Sequence, residues 1–239
     1  FQPLYDIKKG RIVTCEALLR WPHRTRGLIS PGEFIPIAED VGLITTIGEQ
    51  IIEHALNECA SWPESVSVAV NLSPVQFTRG DIVTTIETAL AKAGVAPSRL
   101  EVEITESALL NEIGAAIRIL DRLNALGVKI ALDDFGTGYS SLSYLQSLPL
   151  NKVKIDRGFL RNIEGDERSR TLMAGVARLS AELGLRVTVE GVETAEQLEA
   201  LSANPNVDEI QGYLFCRPLP ARDLRELLGG PKRLEVKAA

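Results

Sequence analysis

Hydrophobic positions along the chain follow two alternating rhythms. Short β-branched or apolar runs recur at roughly Arg11–Leu19, Val66–Leu72, Leu100–Thr105, Lys129–Asp134, Lys152–Ile155, Arg186–Val189 and Glu209–Leu214. Between them, Ile82–Ala93, Gly114–Leu126, Arg168–Leu183 and Ala195–Ser202 carry apolar residues at helical spacing. Gly94, Gly127 and Gly184 follow the first three of these, as glycines that end helices do. Pro31 and the segment Gly32–Ile52 predict one further helical region after the first run. Alternation at roughly 20–35 residues per unit implies mainly parallel strands joined by helical crossovers. An open doubly wound sheet and a (β/α)8 TIM-like barrel both satisfy this pattern. Seven strand-like runs in 239 residues favour the barrel, whose usual length is ~250 residues.

Each run closes on a polar group. The first holds Glu16 and reaches Arg20, the second ends at Asn71, and the third passes Glu103 toward Glu106. The fourth ends in Asp133-Asp134, the fifth carries Lys154, the sixth is followed by Glu190, and the seventh contains Gln211. Taken singly, an acid at a strand end is a solvated turn residue or the cap of the next helix. A whole succession reads differently, because one helix cap does not predict the next. In an α/β barrel the carboxyl ends of the strands form the active-site face, so these groups would converge on one pocket.

Crowded carboxylates cannot all stay ionised without a counter-charge. Either some carry protons or a divalent cation neutralises them. Glu16, Asn71, Glu103, Asp133 and Asp134 are all oxygen donors with no Cys–His cluster among them, which suits Mg²⁺ or Mn²⁺. If Asp133 bridges, the adjacent pair can help hold two ions at the separation that in-line phosphoryl chemistry uses. Lys154 adds a cation suited to orienting a water or steadying developing negative charge. The segment Phe135–Leu142, with Gly136, Gly138 and the hydroxyls of Thr137, Ser140 and Ser141, reads as a flexible βα loop, a phosphate cradle, or a mobile loop that links metal occupancy to closure.

Composition narrows the partners. Apolar residues make up 45% and charged residues 24%, which excludes disorder, and no apolar run is long enough to span a bilayer. The net charge of −6 argues against duplex nucleic acid, which needs a basic face. Cys15, Cys59 and Cys216 fit no zinc or redox spacing and read as reduced thiols in a cytoplasmic protein. The chain opens on Phe1, and its one methionine is Met173, so we read residues 1–228 as a single domain of a longer protein and 229–239 as a tail or linker. His23 and His54 read as surface or packing residues, and Trp21 and Trp62 as core-edge packing.

At these strand ends the chain resembles the EAL domains, the cyclic di-GMP phosphodiesterases named for the tripeptide that stands here as Glu16-Ala17-Leu18. The specific signals are Glu16-Ala-Leu-Leu-Arg20-Trp21, Asn71-Leu-Ser73, Glu103-Ile-Thr-Glu106-Ser, the Asp133–Leu142 decapeptide, Lys154-Ile-Asp156-Arg and Glu190-Gly-Val-Glu193-Thr, all in family order. The resemblance implies a (β/α)8 TIM-like barrel whose first strand is antiparallel to the others. It also implies hydrolysis of cyclic di-GMP to linear pGpG with two Mg²⁺ or Mn²⁺ ions. On the family pattern Glu16, Asn71, Glu103 and Asp133 hold one metal, and Asp133 with Asp134 the other. Lys154 and Glu190 position the attacking water, and Glu16, Lys154 and Glu190 form the catalytic set.

For the substrate, the resemblance places Arg20 on a phosphate and Gln2, Leu18, Glu193 and Gln211 nearer the nucleotide. Glu106 corresponds to a glutamate that anchors the Phe135–Leu142 loop. It implies a homodimer, a covalently linked N-terminal sensory or cyclase module, and no membrane contact by this domain. Ca²⁺ is expected to inhibit, because it prefers more and longer oxygen bonds. Thr14-Cys15, Asn151, Gly158 and Val189 depart from residues common in the family, and none of them removes a proposed ligand. A domain that binds cyclic di-GMP without cleaving it is the competing reading, and members of that kind typically lose a ligand or the Asp-Asp loop.

Overall fold

The structure is a computed structural model and describes residues 1–105, 113–136 and 142–230. β1 (Gln2–Asp6) turns back into β2 (Arg11–Ala17) through a tight loop closed by Gly10 at φ +63°. A small hairpin of β3 (Trp21–His23) and β4 (Gly27–Ile29) stands apart from the main sheet. The remaining strands are β5 (Ser67–Asn71), β6 (Leu100–Thr105), β7 (Lys129–Phe135), β8 (Lys152–Ile155), β9 (Arg186–Val189) and β10 (Glu209–Ile210). Eight of them close into a barrel in the order β1-β10-β9-β8-β7-β6-β5-β2. β1 runs antiparallel to both neighbours, and every other pair in the barrel is parallel.

The helices are α1 (Pro31–Asp40), α2 (Leu43–Cys59), α3 (Pro74–Thr78), α4 (Ile82–Ala93), α5 (Ile113–Leu126), α6 (Leu142–Ser147), α7 (Glu167–Glu182), α8 (Ala195–Ser202) and α9 (Ala221–Gly229). Local chemistry sets several of their ends. Ser73 with Gln76, and Thr194 with Gln197, form capping boxes at the starts of α3 and α8. Gly94, Gly127 and Gly184 all take positive φ where α4, α5 and α7 stop.

The first strand is antiparallel to the others, as the resemblance implies. Several other expectations are corrected. That first strand is Gln2–Asp6, ahead of the first run read from the pattern. Pro3 masks it, yet pairing with β10 involves only Tyr5 and Asp6, so the proline interrupts no ladder on that side. The last run stops at Ile210 rather than Leu214, and the first stops at Ala17. The region Gly32–Ile52 is two helices, parted at Gly42, whose φ of +77° no continuous helix allows. α9 went unread, although Leu224 and Leu228 at i, i+4 bury one face of it. Trp62 is buried as expected, but Trp21 is exposed and sits edge-on to Phe34.

Alternation along the strands divides the molecule into two environments. Val102, Ile104, Ile130, Leu132, Val153 and Ile155 are almost wholly buried in the apolar core, between the sheet and the surrounding helices. Their strand neighbours Glu101, Glu103, Lys152 and Lys154 pair with one another inside the barrel. Barrels of this class usually fill that space with branched apolar residues. Here the interior is charged.

Candidate active site and metal centre

Lys154, 1% exposed, is the hub of the barrel's carboxyl end. Its Nζ lies 2.6 Å from Glu190 Oε1, 2.9 Å from Glu103 Oε2, 3.1 Å from Asp133 Oδ1 and 3.6 Å from Glu16 Oε2. Four carboxylates from different parts of the sheet thus share one ammonium. The Glu16 carboxylate also accepts hydrogen bonds from Asn71 Nδ2 at 2.7 Å and Gln211 Nε2 at 2.8 Å. Asn71 itself is exposed at the strand end.

One cation cannot balance this set, and the titrations divide accordingly. Burial pushes the Glu16 carboxyl up, but the Lys154 ammonium and the two amides outweigh it and hold the group below its usual range. Glu103, wholly buried and facing Glu16, is driven well above the usual range despite Lys154. Burial likewise pushes Glu190 up to about 7, against the pull of Lys154 and with the push of Asp133. Lys154 is held firmly protonated, because Asp133, Glu103, Glu16 and Glu190 outweigh its burial.

Adjacent residues of a regular strand point to opposite faces, so Asp133-Asp134 could not both serve one site without a break in the ladder. β7 supplies that break. It pairs Leu132 with Val153 and then Phe135 with Ile155, so Asp133 and Asp134 together face Lys154 alone. Asp134 takes φ +53°, a left-handed conformation that Asp tolerates better than most residues. Carboxylate oxygens of Asp133, Asp134 and Glu190 then lie within 4.8 Å of one another. Burial and the Asp133 charge raise the Asp134 carboxyl above its usual range.

The donor set fits a hard divalent cation. Every group is an oxygen ligand, and Glu103 Oε1 and Gln211 Oε1 are buried with no hydrogen-bond partner among the described residues. Asp133, Asp134 and Glu190 form a cluster able to hold a metal.

A cavity of about 260 Å³ opens over this centre, with Gln2, Leu18, Glu193 and Gln211 in its walls beside Glu16, Asp133 and Glu190. Arg20 does not line it. That side chain is exposed, bonds to the Leu19 carbonyl, and lines a second, largely apolar groove of about 640 Å³. The two hollows adjoin at Leu18, which lines both. Glu106 and most of the loop after Phe135 lie outside the described residues. Two wall residues escaped the sequence reading. Arg157 stands three positions past Lys154, and Tyr213 has its ring under the Arg217 guanidinium at 4.3 Å. The available signal for Arg157 was its place directly after the Lys154-Ile-Asp156 strand end.

The chain is thus an α/β barrel with one antiparallel strand, a charged interior and an oxygen-only acidic centre at the strands' carboxyl ends. The profile of the EAL domain matches residues 1–218, and the chain belongs to that family. It is 40% identical over 228 residues to the bifunctional diguanylate cyclase/cyclic di-GMP phosphodiesterase MucR of Pseudomonas aeruginosa, covering 94% of this chain and 33% of MucR. It is also 40% identical over 232 residues to the cyclic di-GMP phosphodiesterase NbdA of the same organism, covering 95% of this chain and 30% of NbdA. A solved structure of the PaMucR phosphodiesterase in complex with c-di-GMP superposes with a TM-score of 0.87 at 40% identity, covering 93% of this chain and 92% of that one. The chain spans about a third of the length of the curated relatives it matches. Among the described residues, no helix is long and apolar enough to cross a membrane.

Proposed function

We propose that this domain hydrolyses one phosphodiester of cyclic di-GMP to linear pGpG with the help of two Mg²⁺ or Mn²⁺ ions. The observation that carries the reading is the convergence of Glu16, Glu103, Asp133 and Glu190 on Lys154, with the β7 bulge adding Asp134 beside them. Kinship to MucR and NbdA, and the c-di-GMP-bound structure of a relative, supports the choice of substrate.

On this reading Glu16, Asn71, Glu103 and Asp133 would hold one ion, and Asp133 with Asp134 would hold the other. Bound cations would offset the carboxylate charge and bring a coordinated water's pKa toward neutrality. The chain's own residues do the rest. Glu16 stays anionic under its two amide hydrogen bonds. Lys154 holds its proton and opposes negative charge that develops on the phosphate. Glu190, 2.6 Å from Lys154, orients water against the scissile bond. Gln2, Leu18, Glu193 and Gln211 wall the nucleotide, and Arg20 reaches a phosphate at the junction marked by Leu18. Joining to a sensory or cyclase module, supported by the greater length of the relatives, and pairing into a homodimer complete the proposal.

Turnover of cyclic di-GMP with Mg²⁺, with Ca²⁺ and in a Glu16→Ala variant tests it. The expected result is pGpG with Mg²⁺ and loss of product with Ca²⁺ or the substitution. Binding of cyclic di-GMP without product in any metal would replace the enzyme with a receptor.

A further inference from the structure

The barrel carries a second charged tier at its opposite, amino-terminal mouth. Lys152 and Lys154 are two residues apart on β8, and Glu101 and Glu103 are two apart on β6, so each pair stacks inside the barrel. Lys152 Nζ meets Glu101 at 2.7 Å and Glu209 at 2.8 Å. Arg186 spans Glu209 at 3.1 Å and Asp6 at 3.0 Å, and Lys9 reaches Asp6 at 3.2 Å. Thr188 donates its hydroxyl to Glu209 at 3.1 Å. This network satisfies itself and accounts for stability at that end.

A surplus remains. A cavity of about 400 Å³ at this mouth is also lined by Arg11 and Lys129, and neither has a partner among the described residues. Six cations (Lys8, Lys9, Arg11, Lys129, Lys152 and Arg186) thus stand against four carboxylates (Asp6, Glu101, Asp208 and Glu209), an excess of two positive charges in a chain whose net charge is −6. Thr14 and Ser67, cross-strand partners on β2 and β5, also line the cavity. They are only 4% and 8% exposed, yet neither hydroxyl has a hydrogen-bond partner among the described residues. Hydroxyls without partners that open into the cavity, beside cations without partners, are groups that a bound oxyanion can engage.

We propose that this mouth binds a phosphate group, held by the Arg11 guanidinium and the Lys129 ammonium at the rim and by the Thr14 and Ser67 hydroxyls below. A phosphomonoester carries about −1.5 to −2 charge at pH 7, which matches the surplus. Glu101 Oε1 and both Glu209 oxygens are engaged by Lys152, Arg186 and Thr188, which offsets part of the repulsion they offer. The site is separate from the carboxyl-end centre and does not depend on the reaction proposed there.

Isothermal titration of the EDTA-treated 239-residue chain with inorganic phosphate, at constant ionic strength with chloride as reference, tests it. Arg20 and Arg157 also stand at the opposite end, so loss of binding in the double variant below is what assigns the heats to this mouth. The expected result is saturable binding of one phosphate, weakened about tenfold or more in an Arg11→Glu/Lys129→Glu double variant, both positions being exposed. Thr14→Val, which keeps the side chain's shape, is expected to weaken binding without changing the fold by circular dichroism. A parallel titration with GMP separates the sources: equal affinity assigns free phosphate, and affinity tighter by about tenfold assigns a nucleotide phosphate. Phosphate heats that match chloride, or undiminished binding by the double variant, would overturn the proposal.

Discussion

Lys154 is where single-residue chemistry decides most. Its ammonium is the one cation in ion-pair contact with Glu16, Glu103, Asp133 and Glu190 among the described residues, and it is buried. Breaking a buried charge set by removing one partner typically costs about 3–5 kcal/mol. Lys154→Met should therefore destabilise the metal-free protein by that order in urea unfolding. The same variant should slow cyclic di-GMP turnover by about 10²–10³, the usual effect of removing one charge-stabilising group. Unchanged turnover would remove Lys154 from the catalytic set. The strand-end pattern made this residue legible, because a lysine amid acids has few bland explanations. Arg20 stands outside the wall of the smaller cavity for a physical reason too: a long exposed side chain on a loop is not fixed by strand alternation, and here it bonds to its own neighbour's carbonyl.

At the scale of elements, the site depends on two backbone irregularities. The β7 bulge turns two consecutive carboxylates to one side, and the early end of β10 at Ile210 lets the chain dip under Val192. Gly212 makes that dip possible, since a Cβ there would stand 2.0 Å from the Val192 carbonyl oxygen. Gly212→Ala should cost about 1–3 kcal/mol of stability, the range for forced overpacking. It should also lower turnover, because Gln211, the next residue, donates to Glu16. Thermal unfolding and activity measured on the same preparation check both effects, and a variant that matches the parent in each would show that the backbone yields without cost.

Across the whole molecule, the depressed carboxylates and the raised ones respond to pH in opposite senses. Burial pushes Glu209 and Asp6 up, but Lys152 and Arg186 outweigh it for Glu209, and Lys9 and Arg186 do so for Asp6, leaving both depressed. Their contribution is present above the ordinary carboxylate range and is lost as pH falls through the depressed folded values. Glu103 and Glu190 are raised, so the folded state retains their protons. Their contribution is full below the ordinary value of 4.5 and declines as pH rises, through about 7 for Glu190. Metal-free protein is therefore expected to be most stable near pH 5, and less stable at both pH 3 and pH 7.5, in urea melts with EDTA. Adding Mg²⁺ at pH 7.5 should recover stability, since a bound cation neutralises what the protons did. Greater stability at pH 7.5 than at pH 5 in EDTA would contradict the acidic-cluster account.

The sequence by itself determined the alternation of strand and helix, the barrel class and the residues that carry the charged centre. Periodicity is a local property, and the carboxyl end of a parallel strand is marked by where its apolar run stops. The spans of α4 and α8 were legible to the residue, because a capping side chain or a terminal glycine marks their ends. Tertiary structure decided what depends on partners distant in the chain. It fixed β1 as the antiparallel strand, because a proline-containing segment becomes a strand only when β2 and β10 accept it. It set the left-handed turn at Asp134, which no local propensity demands. It also stacked Lys152 below Lys154, turning one run of alternating lysines into two separate ionic tiers. Burial and the charges of neighbouring strands then divided the carboxylates, holding Glu16 ionised while raising Glu103 and Glu190, and no reading of spacing supplies that environment.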